Sequence, residues 1–125
     1  MKIKVHPDIV NNVRLAIKQT KESLDENREQ RKKLITDIRQ VKNGIRARES
    51  VCSKMAVAGL DTQYQKVDIE TQRRHLNNLR QNLIGAFVYR SVELAKFRAL
   101  HKQLDNFNEP FDPVRKAEKH GKQID

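Results

Sequence analysis

Between Val10 and Met55, seam residues recur at alternating intervals of three and four, and this spacing constrains the fold more than any other feature of the chain. Such a repeat keeps one narrow stripe of a helix facing a partner helix, which is typical of a coiled coil. One row of the repeat holds Val10, Ile17, Leu24, Arg31, Ile38, Ile45 and Cys52, and the other holds Val13, Thr20, Asn27, Leu34, Val41, Arg48 and Met55. We therefore expect a long helix whose mostly apolar seam has a few polar interruptions.

A second long helix is predicted after Gly59, which is a natural helix stop because glycine readily adopts a left-handed conformation. Thr62 and Gln65 have the spacing of a capping box, so the link between the helices is short. A broad apolar stripe follows, made of Ile69, Leu76, Leu79, Leu83, Phe87, Leu94, Phe97, Leu100 and Leu104. A short link makes two long helices antiparallel neighbours. The predicted fold is all-α: a long antiparallel two-helix coiled-coil hairpin with a short C-terminal helix.

The positions of helix start and stop signals predict a single helical domain with five segments. They are an extended arm or frayed terminus over 1–6, helix 1 over 7–58, helix 2 over 62–106, a linker over 107–112, and a short helix and tail over 113–121. Asn43-Gly44 is a turn dipeptide inside helix 1, yet the seam passes through it in register. A continuous or gently kinked helix is therefore expected there, with a true break as the alternative.

The hairpin register can be tested on the sequence itself, because folding at the turn brings specific residues together. It pairs Cys52 with Ile69 and Ile45 with Leu76. It also predicts that polar seam positions meet polar partners: Arg31 and Asn27 meet Arg90 and Glu93, and Arg48 meets Gln72 and Arg73. An unpaired charge against an apolar partner would be costly, so this matching favours the hairpin.

Helix 2 carries a further apolar row on a different face, here called the second stripe. It consists of Ile84, Val88, Val92, Ala95 and Ala99. A helix that is apolar on two faces needs two neighbours. One is helix 1, and the other is a second copy of the chain, a different protein, or the C-terminal segment folded back. We expect the second stripe to bind a protein partner or a second copy.

The net charge of +10 is uneven and implies an acidic partner. Residues 38–58 and 63–82 together carry nine basic side chains against three acidic ones, and the hairpin brings these two runs together. The predicted basic surface consists of Arg39, Lys42, Arg46, Arg73, Arg74 and Arg80. It would meet an acidic protein surface or nucleic acid, or simply be solvated. Tyr64 is the only ring near the turn, so a base-stacking platform is not expected.

Catalytic and metal chemistry find little support in the sequence. The four histidines have no cysteine or carboxylate at ligand spacing, and no glycine-rich loop follows a strand. The single cysteine, Cys52, falls on the seam and is expected to be a packed thiol in a reducing compartment. We expect no enzyme activity, no cofactor, no metal and no small-molecule substrate. The longest apolar run, Leu83–Tyr89, is seven residues, far short of the ~20 that a membrane-spanning helix needs. We therefore also expect a cytoplasmic protein without membrane insertion.

In outline the chain resembles the small basic hairpin stalk proteins of flagellar and type III export machinery. Those proteins have two long helices joined by a tight turn around a mid-chain glycine, which here is Gly59. The resemblance is one of architecture and assigns no role to any residue. The resulting hypothesis is a non-enzymatic assembly or adaptor protein, and the alternative is a nucleic-acid-binding protein without sequence preference.

Overall fold

The computed structural model describes residues 5–108, and the regular secondary structure in that range is helical. Helix α1 comprises Pro7–Val57 and helix α2 comprises Gln63–Asn108, and the two helices pack against each other. α2 thus continues past its predicted end at residue 106. The predicted short helix over 113–121 lies outside the described residues, as does most of the predicted arm over 1–6.

The start of α1 is set by His6 and Pro7. The carbonyl of His6 accepts a hydrogen bond from the backbone N–H of Ile9 at 3.0 Å, and the amide of Asp8 donates to His6 Nδ1 at 3.2 Å. Proline suits the first helical position because it has no N–H to leave unsatisfied there. From this start α1 runs through Gly44 without a break.

A Schellman motif ends α1. Gly59 has a φ of 75°, in the left-handed region. Its N–H donates to the Ala56 carbonyl at 3.1 Å, and the N–H of Leu60 donates to the Met55 carbonyl at 2.9 Å. These two bonds satisfy carbonyls that the end of a helix otherwise leaves without partners. Helix α1 therefore ends at Val57, one residue before its predicted end, and Gly59 is the stop that the sequence predicted.

The cap of α2 differs from the predicted capping box. The backbone N–H of Gln63 donates to the Asp61 carboxylate at 3.0 Å, so an aspartate side chain satisfies the first free amide of the helix. The carbonyl of Thr62 accepts the first intrahelical bond, from Lys66, at 2.9 Å. Thr62 itself is buried, which places this residue on the packed side of the turn.

The described chain forms two compact units, one of residues 24–92 and one of residues 5–23 with 93–108. In the first unit the core is a cluster of Ile45, Ile69 and Leu76. Ile38, Val41 and Cys52 pack against this cluster. The predicted neighbours Cys52 with Ile69 and Ile45 with Leu76 therefore do lie in one core.

The unit of residues 5–23 with 93–108 has its own packing. Val13 and Thr20 are buried, and the Thr20 hydroxyl donates to the Ala16 carbonyl at 2.7 Å. This bond explains how a polar residue occupies the seam, because the helix itself supplies the acceptor. On α2, the rings of Phe97 and His101 meet edge to face with centroids 4.4 Å apart.

Asn27 and Arg31 contact α2 at residues that the sequence analysis did not name. The Asn27 amide donates to the backbone carbonyl of Ala86 at 3.0 Å, and the Arg31 guanidinium lies 5.2 Å from the centroid of the Phe87 ring. Ala86 leaves room for this approach because its side chain is a single methyl group.

Phe87 correspondingly lies at the flank of the packed face rather than inside it. Its side chain is exposed, whereas the neighbouring Ala86 is half-buried. The alternating spacing of the less exposed positions passes from the buried Leu79 through the half-buried Leu83 to Ala86. The apolar stripe predicted from the sequence was therefore displaced by one residue at this point.

Candidate interaction surfaces

The second stripe is exposed where it runs through residues 24–92. Ile84, Val88 and Val92 are 56%, 59% and 60% exposed, although each is a large apolar side chain. A Cβ added at Gly85 would meet no heavy atom within 4 Å, so the same side of the helix is open. Ala95 and Ala99 belong to the other unit, and both are exposed there.

The spacing of these residues explains their exposure. Ile84, Val88 and Val92 are four residues apart, so they form a row along one side of α2. The packed positions Leu83 and Ala86 belong to a different row of the same helix. No described residue buries Ile84, Val88 or Val92, and the structure leaves this part of the second stripe without a neighbour.

The structure divides the predicted basic surface into two groups, and the first is paired with carboxylates. Arg73 Nη2 lies 2.8 Å from Glu49 Oε1, across the two helices. Arg74 Nη2 lies 2.9 Å from Glu70 Oε1 on the same helix. The charges of these two arginines are therefore largely offset by their neighbours.

The second group is exposed, and its members form no ion pair with any residue in the range 5–108. It consists of Arg39, Lys42, Arg46 and Arg80. The first three follow one another on α1 at intervals of three and four residues, so they lie near one side of that helix. The basic surface is thus chiefly a property of α1, which the charge count alone did not show.

Arg48 occupies a seam position and was predicted to meet Gln72 and Arg73. Its Nε lies 2.8 Å from Asp68 Oδ2, an ion pair that the sequence analysis did not predict, and both side chains are partly exposed. This contact joins α1 to α2 beside the core cluster. The Asp68 carboxylate thus pairs with the charge of the seam residue Arg48 at the edge of the core.

A third surface, which the sequence analysis missed, lies at the turn between α1 and α2. We call it the turn patch, and it comprises Val57, Leu60, Tyr64 and Val67. Val57 is 91% exposed, Tyr64 is 79% exposed and Leu60 is 58% exposed. The signal in the sequence was the apolar character of residues on both sides of Gly59, where the seam pattern ends.

Within residues 5–108, no three side chains of His, Cys, Asp or Glu lie close enough together to hold a metal ion. In the same range, neither helix has a stretch of sufficient length and apolar character to cross a bilayer. Cys52 is a free, half-buried cysteine beside the core cluster.

Comparisons of the chain with protein-family models, with curated proteins and with solved structures found no match.

Proposed function

We propose that this protein is a non-enzymatic assembly or adaptor protein built on an antiparallel coiled-coil hairpin with a short C-terminal helix. It binds a protein partner or a second copy through the second stripe. It also binds an acidic surface through the basic surface near the turn. Its proposed location is the cytoplasm. The observation that carries the proposal is the exposure of Ile84, Val88 and Val92 on one side of α2.

Burial of this row would stabilise a complex appreciably. Full burial of a Val or Ile side chain is favourable by about 1.5–3 kcal/mol, so three such side chains contribute several kcal/mol. Gly85 between them allows another helix to approach closely, because it presents no side chain. An apolar row of this kind on a highly charged chain is typical of an interaction surface.

The experiment is a mass measurement by light scattering on purified protein over a range of concentrations. Replacing Val88 and Val92 together with Glu is expected to dissociate an oligomer, because two buried carboxylates would be unpaired. The matched control replaces Ile35 and Val51 with Glu, because these exposed apolar residues lie outside the second stripe and on the other helix. An oligomer whose mass is unchanged by the Val88 and Val92 substitutions would rule out the second stripe as the interface between copies.

A second candidate function is nucleic-acid binding without sequence preference, and one observation favours it. Arg39, Lys42 and Arg46 are exposed on α1 and have no carboxylate partner among the described residues. Side chains of this kind neutralise phosphates and release counterions, so such binding weakens steeply as salt rises.

The two functions separate in a titration of labelled duplex DNA at low and moderate salt. Reversal of Arg39 and Arg46 to Glu is expected to abolish DNA binding under the second candidate while the oligomer state is unchanged. Reversal of Arg73 and Arg74 makes the same change in net charge at residues that are already paired, and a smaller loss is expected. Equal losses from both double variants would show that only net charge matters and would count against a defined nucleic-acid site.

A further inference from the structure

We propose that the turn patch docks on an anionic lipid surface, with Val57, Leu60 and Tyr64 entering the headgroup region and Lys54 and Lys66 contacting lipid phosphates and carboxylates. This surface is separate from the second stripe, so the inference does not depend on the proposed assembly function. It concerns docking at the interface, not a helix that crosses the membrane.

The backbone of the turn forces these side chains outward. The left-handed Gly59 and the Schellman hydrogen bonds fix the path of the chain, and Leu60 follows immediately. A Cβ built on Gly59 would find nothing within 4 Å, so no other part of the unit covers the turn. Val57 and Tyr64 lie on either side of it in sequence, and both are largely exposed.

The charges around the turn patch fit an anionic surface. Lys54 and Lys66 flank the patch, both are exposed, and neither forms an ion pair with a described residue. Between residues 50 and 67 the only acidic residue is Asp61. Its carboxylate accepts the backbone N–H of Gln63, so it is held at the start of α2. Lipid phosphates at the turn would therefore meet the unpaired ammonium groups of Lys54 and Lys66 and one carboxylate, that of Asp61, which is hydrogen-bonded to the backbone.

The shape and chemistry of the patch favour lipid over a nucleic acid. Its centre is apolar, and apolar side chains gain nothing against a phosphate backbone, whereas they gain free energy in the acyl region of a bilayer. A tyrosine places an apolar ring and a polar hydroxyl at the boundary between lipid and water, where aromatic residues are enriched. Lysines can reach back to the headgroups with their apolar stems buried. Such docking at the lipid–water boundary needs no apolar run long enough to span the bilayer.

The first experiment is sedimentation of the full chain with vesicles of phosphatidylcholine containing ~30% phosphatidylserine, and with pure phosphatidylcholine vesicles. In about 150 mM NaCl we expect binding to the anionic vesicles only. Replacing Val57, Leu60 and Tyr64 with Ser is expected to weaken partitioning by about tenfold or more, because the apolar contribution is lost. The matched control replaces the exposed Ile9, Leu15 and Ile35 with Ser and is expected to bind like the unmodified protein.

Charge variants separate a local site from the effect of net charge. Reversal of Lys54 and Lys66 to Glu should weaken binding to anionic vesicles strongly. Reversal of Lys18 and Lys21 to Glu changes the net charge equally at residues remote in sequence from the turn and should have a much smaller effect. Equal losses from both pairs would overturn the proposal, because they would assign the affinity to the overall charge of +10.

A fluorescence experiment reports insertion directly, since the chain has no tryptophan. In the variant Tyr64→Trp, we expect a blue shift of the emission on addition of anionic vesicles and quenching by brominated acyl chains. The control Tyr89→Trp should show neither change. If the Tyr64→Trp emission is unaltered by vesicles, the turn patch does not enter the lipid and the proposal fails. Circular dichroism of each variant verifies that the helices are retained.

Discussion

Asn27 and Ala86 join the two helices through a single hydrogen bond, from the Asn27 side-chain amide to the Ala86 backbone carbonyl at 3.0 Å. Asn27 is only 3% exposed, so this polar group is removed from water. The same side chain accepts a hydrogen bond from Arg31 Nε at 2.9 Å. Arg31 in turn lies over the Phe87 ring. The buried amide therefore fixes one alignment of α1 against α2, in the way that a polar seam residue specifies register in coiled coils.

Replacement of Asn27 with Ala should destabilise the protein by roughly 1–3 kcal/mol. The change removes two hydrogen bonds and leaves the guanidinium of Arg31 without its acceptor in a partly buried position. Urea unfolding followed by far-ultraviolet circular dichroism gives the free energy of unfolding. Gln30→Ala is the control, because it removes an exposed amide from the same helix. Equal effects of the two substitutions would show that the Asn27 bonds contribute nothing beyond helix propensity.

The left-handed residue at the end of α1 gives a prediction about the turn. Gly59→Ala should lower the free energy of unfolding by about 1 kcal/mol, because an L-residue with a side chain pays a steric cost at a φ of 75°. There is open space around the added methyl group, so the loss would come from backbone strain alone. The same urea titration measures it. An unchanged free energy of unfolding would mean that the turn relaxes to another conformation. The Leu60 amide would then lose its Schellman hydrogen bond and exchange its hydrogen faster.

The core of the unit of residues 24–92 could be predicted from the sequence because apolar periodicity determines which side chains are buried. Ile45, Ile69 and Leu76 stand at seam intervals, and a turn at Gly59 leaves few ways to bring them together. The acceptor of Asn27 could not be predicted in the same way. Every residue has a backbone carbonyl, so the sequence does not indicate which one a buried amide will reach.

The surfaces were less predictable than the core, since a charge count cannot distinguish a paired side chain from an unpaired one. Arg73 and Arg74 counted fully toward the predicted basic surface, yet each lies within 3 Å of a glutamate oxygen, at 2.8 Å and 2.9 Å. Val57 and Tyr64 fall where the seam pattern ends, so periodicity does not say whether another element covers them. In the structure no residue of the described range covers them.

The contact between Glu49 and Arg73 should contribute little to stability despite its short distance. Both side chains are well exposed, and exposed ion pairs typically contribute about 0.2–1 kcal/mol. A double-mutant cycle with Glu49→Gln and Arg73→Gln should give a coupling energy in this range that falls as NaCl is added, since salt screens exposed charges. A coupling energy well above this range, and insensitive to salt, would contradict a solvent-screened pair.

Gly44→Ala should stabilise the protein, in contrast to the same substitution at the turn. Gly44 lies inside the unbroken α1, where alanine is favoured over glycine by about 1 kcal/mol. The added Cβ would come within 2.9 Å of Arg48 Nη1, so the end of that guanidinium must move. Nη1 is the far end of a flexible side chain, so we expect it to move aside while Nε keeps its 2.8 Å contact with Asp68 Oδ2. The urea midpoint of Gly44→Ala measures the net effect of the gain in helix propensity and the cost of moving the guanidinium. Repeating the substitution in an Asp68→Asn background separates the two effects, because a gain that appears only there would show that the ion pair prevents the guanidinium from moving.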